Sequence, residues 1–91
     1  MIESFRHKGL ALLFMENDAS KVRPDLADRC RNRLAVLDDA ALAEDMNIPG
    51  FDFHGLRGKP KRYAVKVNGP WRITFEFQDG NALKVDLENY H

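Results

Sequence analysis

Three histidines, one cysteine and a stretch of unopposed bases are the groups in this 91-residue sequence whose types and spacing suit chemistry. Residues 54–72 carry Arg57, Lys59, Lys61, Arg62, Lys66 and Arg72 and no acid, a local charge of +6. Such a stretch attracts phosphate, and its arginines can grip phosphate oxygens through paired N–H donors. Basic runs also serve simply as solubilising surface, so charge alone leaves both uses open. His7, His54 and His91 supply imidazoles, which take up and release protons near neutral pH. Cys30 stands alone, so it forms no internal disulfide, and with three scattered histidines it makes no zinc cluster. The sequence has no glycine-rich phosphate loop, no HExxH and no GxSxG. An enzyme built from these groups is expected to use neither metal nor organic cofactor.

The charge elsewhere runs the other way. Residues 21–33 hold five bases against two acids, a local +3, whereas residues 34–49 hold four acids and no base, a local −4. The formal net charge is +0, so neutrality is a cancellation of opposed patches. By itself that zero argues against indiscriminate binding to polyanions, but it does not describe the basic centre.

These groups need elements to position them. Met1 to His7 reads as a short strand or ordered start. Leu10, Leu13 and Phe14 recur at helical spacing and predict a helix near residues 8–16. Pro24 suits the first turn of a second helix, with Asp25 and Asp28 near its positive end. Leu26, Cys30, Leu34, Leu37 and Ala41 line one side of it, over about residues 24–40. A short turn around residues 41–46 leads to Ile48-Pro49-Gly50, a turn signal.

Beyond Gly50 the apolar period becomes two. Phe51 and Phe53, then Tyr63, Val65 and Val67, then Trp71, Ile73, Phe75 and Phe77, then Leu83, Val85 and Leu87 alternate with polar residues. Asp79-Gly80 marks a hairpin. Three or four antiparallel strands follow, with odd-numbered residues inward if no bulge shifts the register. The economical fold is a single α+β domain over residues 1–91, its N-terminal helices packed on one face of a small antiparallel sheet. The other face would carry Lys66, Arg72, Thr74, Glu76, Lys84, Asp86, Glu88 and Tyr90. The longest apolar run, Leu10 to Met15, is far too short to cross a bilayer, and its flanks do not make a signal peptide. A cytoplasmic protein without membrane association is expected.

Several short stretches resemble one family. Met1-Ile2-Glu3-Ser4-Phe5-Arg6-His7-Lys8-Gly9-Leu10 is similar to the opening of the HigB-type toxins of the RelE-like superfamily. So are Asp45-Met46-Asn47-Ile48-Pro49-Gly50-Phe51 and His54-Gly55-Leu56-Arg57-Gly58, the latter resembling the family's H-x-L-[KR]-G. Trp71-Arg72-Ile73-Thr74-Phe75 resembles its W-R-I-T-F strand, and Asn89-Tyr90-His91 its closing D-Y-H. Each stretch is short, but they run end to end in the family's order.

The resemblance implies a RelE-like fold and the toxin half of a bacterial type II toxin–antitoxin pair. It implies an mRNA endonuclease that enters the ribosomal A site and halts translation. It implies a HigA-like helix-turn-helix antitoxin as partner, with operator DNA reached only through the toxin–antitoxin complex. Cleavage without metal would take a proton from the ribose 2′-OH, stabilise the charge building on the attacked phosphate, and protonate the leaving 5′-oxygen. The products would be a 2′,3′-cyclic phosphate and a 5′-hydroxyl.

Carried onto matching positions, the resemblance assigns phosphate stabilisation to Arg72, whose planar guanidinium is always charged. It makes His54 and His91 the candidates for acid and base, in either order. Tyr90 would stack on a base or orient the phosphate. Arg57, Lys59, Lys61, Arg62, Lys66 and Asn89 would bind the substrate.

Two positions depart from the family pattern. Arg57 stands where many relatives carry lysine, and arginine does not serve as a base. Asn89 stands where aspartate often orients the neighbouring histidine. These departures keep a second reading open, a weakly catalytic binding module that holds antitoxin or occupies the ribosome without cutting. Sequence-specific DNA binding by the chain alone is disfavoured, because its helices show no recognition pattern. If His91 transfers a proton, Asn89→Asp should speed cleavage of a reporter mRNA. An unchanged rate removes the role assigned to His91.

Overall fold

A computed structural model describes residues 1–90. Two helices, α1 (Lys8–Glu16) and α2 (Pro24–Asp39), precede a short 3-10 turn (Ala43–Met46). Four strands follow: β1 (His54–Gly55), β2 (Arg62–Asn68), β3 (Trp71–Gln78) and β4 (Asn81–Asn89). They form one antiparallel sheet in the order β1-β2-β3-β4. This is the expected α+β architecture. No helix of the described residues is long and apolar enough to cross a membrane.

Local chemistry accounts for the helix limits. His7 Nδ1 accepts from the Leu10 amide at 3.1 Å and caps α1, so this histidine is committed to helix entry. Asn17 ends α1 in the left-handed region at φ 53°. Pro24 opens α2 at a position where the amide hydrogen that proline lacks would have no partner within the helix. Leu26, Cys30, Leu34 and Leu37 of α2 are fully buried and meet Val65, Val67, Ile73, Phe75 and Val85 from the sheet. Cys30 is one of these core residues, and burial pushes its thiol up to about 11. Phe53, Tyr63 and Phe75 continue the core as a stack, with successive ring centroids 5.7 and 5.8 Å apart.

The sheet departs from the bulge-free expectation, with a register shift in β2 between Lys66 and Asn68, and in other features besides. Phe51 and Phe53 do not form a strand: Asp52 between them is left-handed at φ 46°, so although the Phe51 carbonyl accepts from the Lys66 amide of β2, the ladder itself starts at His54. The N-terminal segment lies along the outer edge of β4, where Ile2 and Phe5 bridge Ala82 and Val85 in parallel and cover backbone that an edge strand would expose. A bulge in β4 reverses the inward–outward parity. Thr74 faces Asp86, but Glu76 faces Leu83, and the extra residue is absorbed with Lys84 at φ 51°. Ala82 is therefore the buried residue, and Leu83 shares the outer face with Glu76.

Gly9 tests how tightly α1 meets the loop before α2. A methyl there would lie 2.5 Å from the Lys21 carbonyl oxygen and 2.8 Å from His7 Cε1. Helix propensity alone favours alanine over glycine by about 1 kcal/mol. The clash is with backbone, so Gly9→Ala should instead destabilise by about 1–3 kcal/mol in a urea titration. A midpoint that rises would show that the loop yields freely.

Candidate active site

The helices pack on one face of the sheet, and strand register arranges the residues of the other into rows. Lys66, Arg72 and Glu88 form one row. His54, Ala64, Thr74 and Asp86 form the next. Arg62, Glu76 and Leu83 form a third. His54 and Arg72, far apart in sequence, thus share a face, their strands separated only by β2. With strands about 4.8 Å apart and residues about 3.4 Å along a strand, their Cα atoms are about 12 Å apart. Ala64, between His54 and Thr74, adds only a methyl to the floor.

Each candidate has a distinct environment. His54 is exposed on β1, and its Nδ1 lies 2.9 Å from the Asp52 carbonyl oxygen. A carbonyl only accepts, so this bond keeps a proton on Nδ1 and leaves Nε2 as the atom able to gain one. Arg72 Nη1 donates to the Gly69 carbonyl at 2.7 Å and to the Trp71 carbonyl at 3.1 Å. Its Nε is buried and, among the described residues, has no hydrogen-bond partner. Tyr90 follows β4, and its amide donates to the Pro70 carbonyl at 2.8 Å. Both groups are thus held by the same β2–β3 turn. His91 lies outside the described residues.

The six expected substrate-binding residues do not form one equivalent set. Arg57, Lys59 and Lys61 are exposed in the loop between β1 and β2, with Lys61 Nζ 5.8 Å from the centre of the Tyr63 ring. Lys66 is half-buried in the Arg72 row. Asn89 is exposed and pairs with Trp71, so by register it belongs with the opposite parity to Arg72. Arg62 is occupied: its Nη2 donates to Thr74 Oγ1 and to the Lys84 carbonyl, each at 2.9 Å, and Nη1 pairs with Glu76 at 3.5 Å.

Sequence reasoning did not find two features. Thr74 is fully buried on a face that no helix covers, and its hydroxyl donates to Glu88. Alternation placed Thr74 and Glu88 on that face but carried no sign of the bond between them. The other feature is the support of β2 by α2. Arg29 donates to the Val67 carbonyl at 3.2 Å and Arg33 to the Lys66 carbonyl at 2.9 Å, with Arg33 4.3 Å over the Phe51 ring. Burial, and then the neighbouring charge of Arg29, holds Arg33 below the usual guanidinium range. Among the described residues no group of three or more His, Cys, Asp or Glu is placed to hold a metal ion.

Tyr90 reports on the electrostatics of the face. Burial and then the Glu88 carboxylate push its phenol above the ordinary tyrosine value, while Arg62 and Arg72 pull it back. The phenol therefore keeps its proton at neutral pH and can donate a hydrogen bond. Ultraviolet titration, with Tyr90→Phe subtracted to remove Tyr63, should show Tyr90 ionising above the free amino acid. Glu88→Gln should lower that transition and Arg72→Ala should raise it. Insensitivity to both would separate Tyr90 from this cluster.

The sequence is also similar to known proteins. A family model described as the RelE-like toxin of the type II toxin–antitoxin system HigB matches residues 3–91. Endoribonuclease HigB of Proteus vulgaris is 39% identical over 92 residues, covering 100% of both chains. Toxin HigB-1 of Vibrio cholerae serotype O1 is 30% identical over 91 residues, covering 97% of this chain and 96% of its own. With the family model spanning nearly the whole sequence and a relative matched from end to end, the chain belongs to the HigB-like family of RelE-like toxins of type II toxin–antitoxin systems.

Proposed function

We propose that this toxin is an endoribonuclease that cuts mRNA in the ribosomal A site and thereby stops translation. Supporting the reading is one observation above the others. Arg72 lies on the helix-free face two strands from His54, and the β2–β3 turn that holds it also holds the amide of Tyr90. A guanidinium on that face, always charged and planar, suits the oxygens of a phosphate. The name of the Proteus vulgaris relative supports the reaction class.

In this mechanism the phosphate to be cleaved sits against Arg72. His54 Nε2 or the His91 ring takes the 2′-OH proton, the 2′-oxygen attacks phosphorus, and the bond to the 5′-oxygen breaks as the other group delivers a proton. Arg72 is positioned for the charge that grows on the non-bridging oxygens. Tyr90, protonated, donates to the phosphate or stacks on a base. Arg57, Lys59 and Lys61 line the approach and Lys66 lies beside Arg72, while Asn89, of the opposite parity, acts from the strand end next to Tyr90. The neutralising partner is a HigA-like helix-turn-helix antitoxin, and operator DNA is bound through the complex of the two.

A cell-free translation reaction with primer extension on the mRNA tests the reading. The wild-type toxin should give new 5′ ends bearing hydroxyls, with 2′,3′-cyclic phosphates on the upstream fragments, and omission of ribosomes should abolish both. Arg72→Ala should reduce cutting on the order of 10²–10³-fold. Translation arrest without cut ends would instead establish a binding module that occupies the ribosome.

A further inference from the structure

The register that creates the candidate site also threatens it. Glu88 lies directly across from Arg72. Facing residues on antiparallel strands hold their Cβ atoms roughly 5 Å apart, close enough for opposite charges to pair. Yet the ion pairs among the described residues are Arg23–Asp25, Arg31–Asp28, Arg62–Glu76 and Lys84–Glu76, and none joins Arg72 to Glu88.

Both partners are held elsewhere. Glu88 accepts from the hydroxyl of Thr74, which is fully buried. That hydroxyl in turn accepts from Arg62 Nη2 at 2.9 Å. Arg62 is fixed by the Lys84 carbonyl at 2.9 Å and by Glu76. Arg72 is drawn the opposite way, toward the Gly69 and Trp71 carbonyls.

We propose that Arg62 and Thr74 are positioning residues that keep the Glu88 carboxylate off Arg72, leaving that guanidinium's charge for an RNA phosphate. The inference rests on the endoribonuclease reading and extends it to a set of residues that never touch the substrate. A guanidinium already paired to a tethered carboxylate has its charge offset before RNA arrives. The phosphate must then displace a neighbour that cannot diffuse away. Parking Glu88 on a buried hydroxyl backed by a second arginine removes this competitor, and the charge of Arg62 offsets that of Glu88 locally.

Thr74→Val keeps the shape and deletes the hydroxyl. It should slow mRNA cleavage roughly tenfold, the scale of one partly lost charge interaction. Thr74→Ser should cleave close to the wild-type rate. The decisive variant adds Glu88→Gln to Thr74→Val, which should return cleavage to within about twofold of wild type, because the released side chain no longer carries a charge. A purely structural role for Thr74 gives no such rescue. Arg62→Gln, alone and with Glu88→Gln, provides the same comparison if Thr74→Val does not fold. The proposal is overturned if Thr74→Val and Arg62→Gln cut at the wild-type rate. It is equally overturned if folded double variants, judged by circular dichroism, stay as slow as the singles. Arg72→Ala separates the two levels: normal cutting by that variant removes the functional reading itself, whereas its inactivity together with failed rescue removes only the role of Arg62 and Thr74.

Discussion

Thr74 is completely buried, although it projects from the face of the sheet that the helices do not cover. What covers it is its neighbours' charged side chains. Arg62 reaches over from β2 and Glu88 from β4, and the hydroxyl between them gives a hydrogen bond to one and takes one from the other. A chain of 91 residues has one substantial core, and α1 and α2 spend their apolar sides on the opposite face of the same strands. The outer face must therefore satisfy its own polar groups. The Thr74 bonds do so at the centre, and the arrangement of the surrounding charges follows from them. Arg62 is anchored, Glu88 is retained, and Arg72 is left to the turn.

The same logic changes the meaning of the charge count. The six bases of residues 54–72 are not six free cations. Arg62 is spent on Glu76 and Thr74, and one terminal nitrogen of Arg72 is spent on backbone carbonyls. In α2, Arg29 and Arg33 hold the carbonyls at the end of β2, and Arg31 pairs with Asp28. Arginine suits such work because its fork of donors satisfies carbonyl oxygens while its planar head lies over rings such as Phe51. What remains for a polyanion is concentrated in the loop carrying Arg57, Lys59 and Lys61 and in the row of Lys66 and Arg72.

How far the sequence announces this fold depends on what each feature physically requires. The Leu26–Cys30–Leu34–Leu37 stripe locates α2 because a helix can bury it in only one way. Strand β3 is equally legible, since Ile73 and Phe75 need a core while Arg72 and Glu76 need the other side. The position of β1 is not legible, because Phe51 and Phe53 show a period of two while Asp52 bends the chain between them. Nor is the β4 bulge, for a lysine at positive φ has no local signature. Outward parity alone is enough to bring Arg72 and Glu88 to one face. Whether two opposite charges on that face pair or are held apart depends on a buried hydroxyl and on an arginine from another strand. No periodicity encodes that.

The turn between β2 and β3 joins the two parts of the site. Gly69, at φ 54°, lets the chain reverse through Asn68-Gly69-Pro70 without the strain a side chain would bring. Its carbonyl holds Arg72, and the carbonyl of the next residue, Pro70, holds the amide of Tyr90. The guanidinium and the C-terminal segment are therefore referred to one short piece of backbone, and their spacing does not depend on the long side chains between them. Asn89 and Tyr90 would otherwise be a strand end free to fray. Side chains that must act together are positioned best from a common rigid support, and this turn gives Arg72 and Tyr90 one.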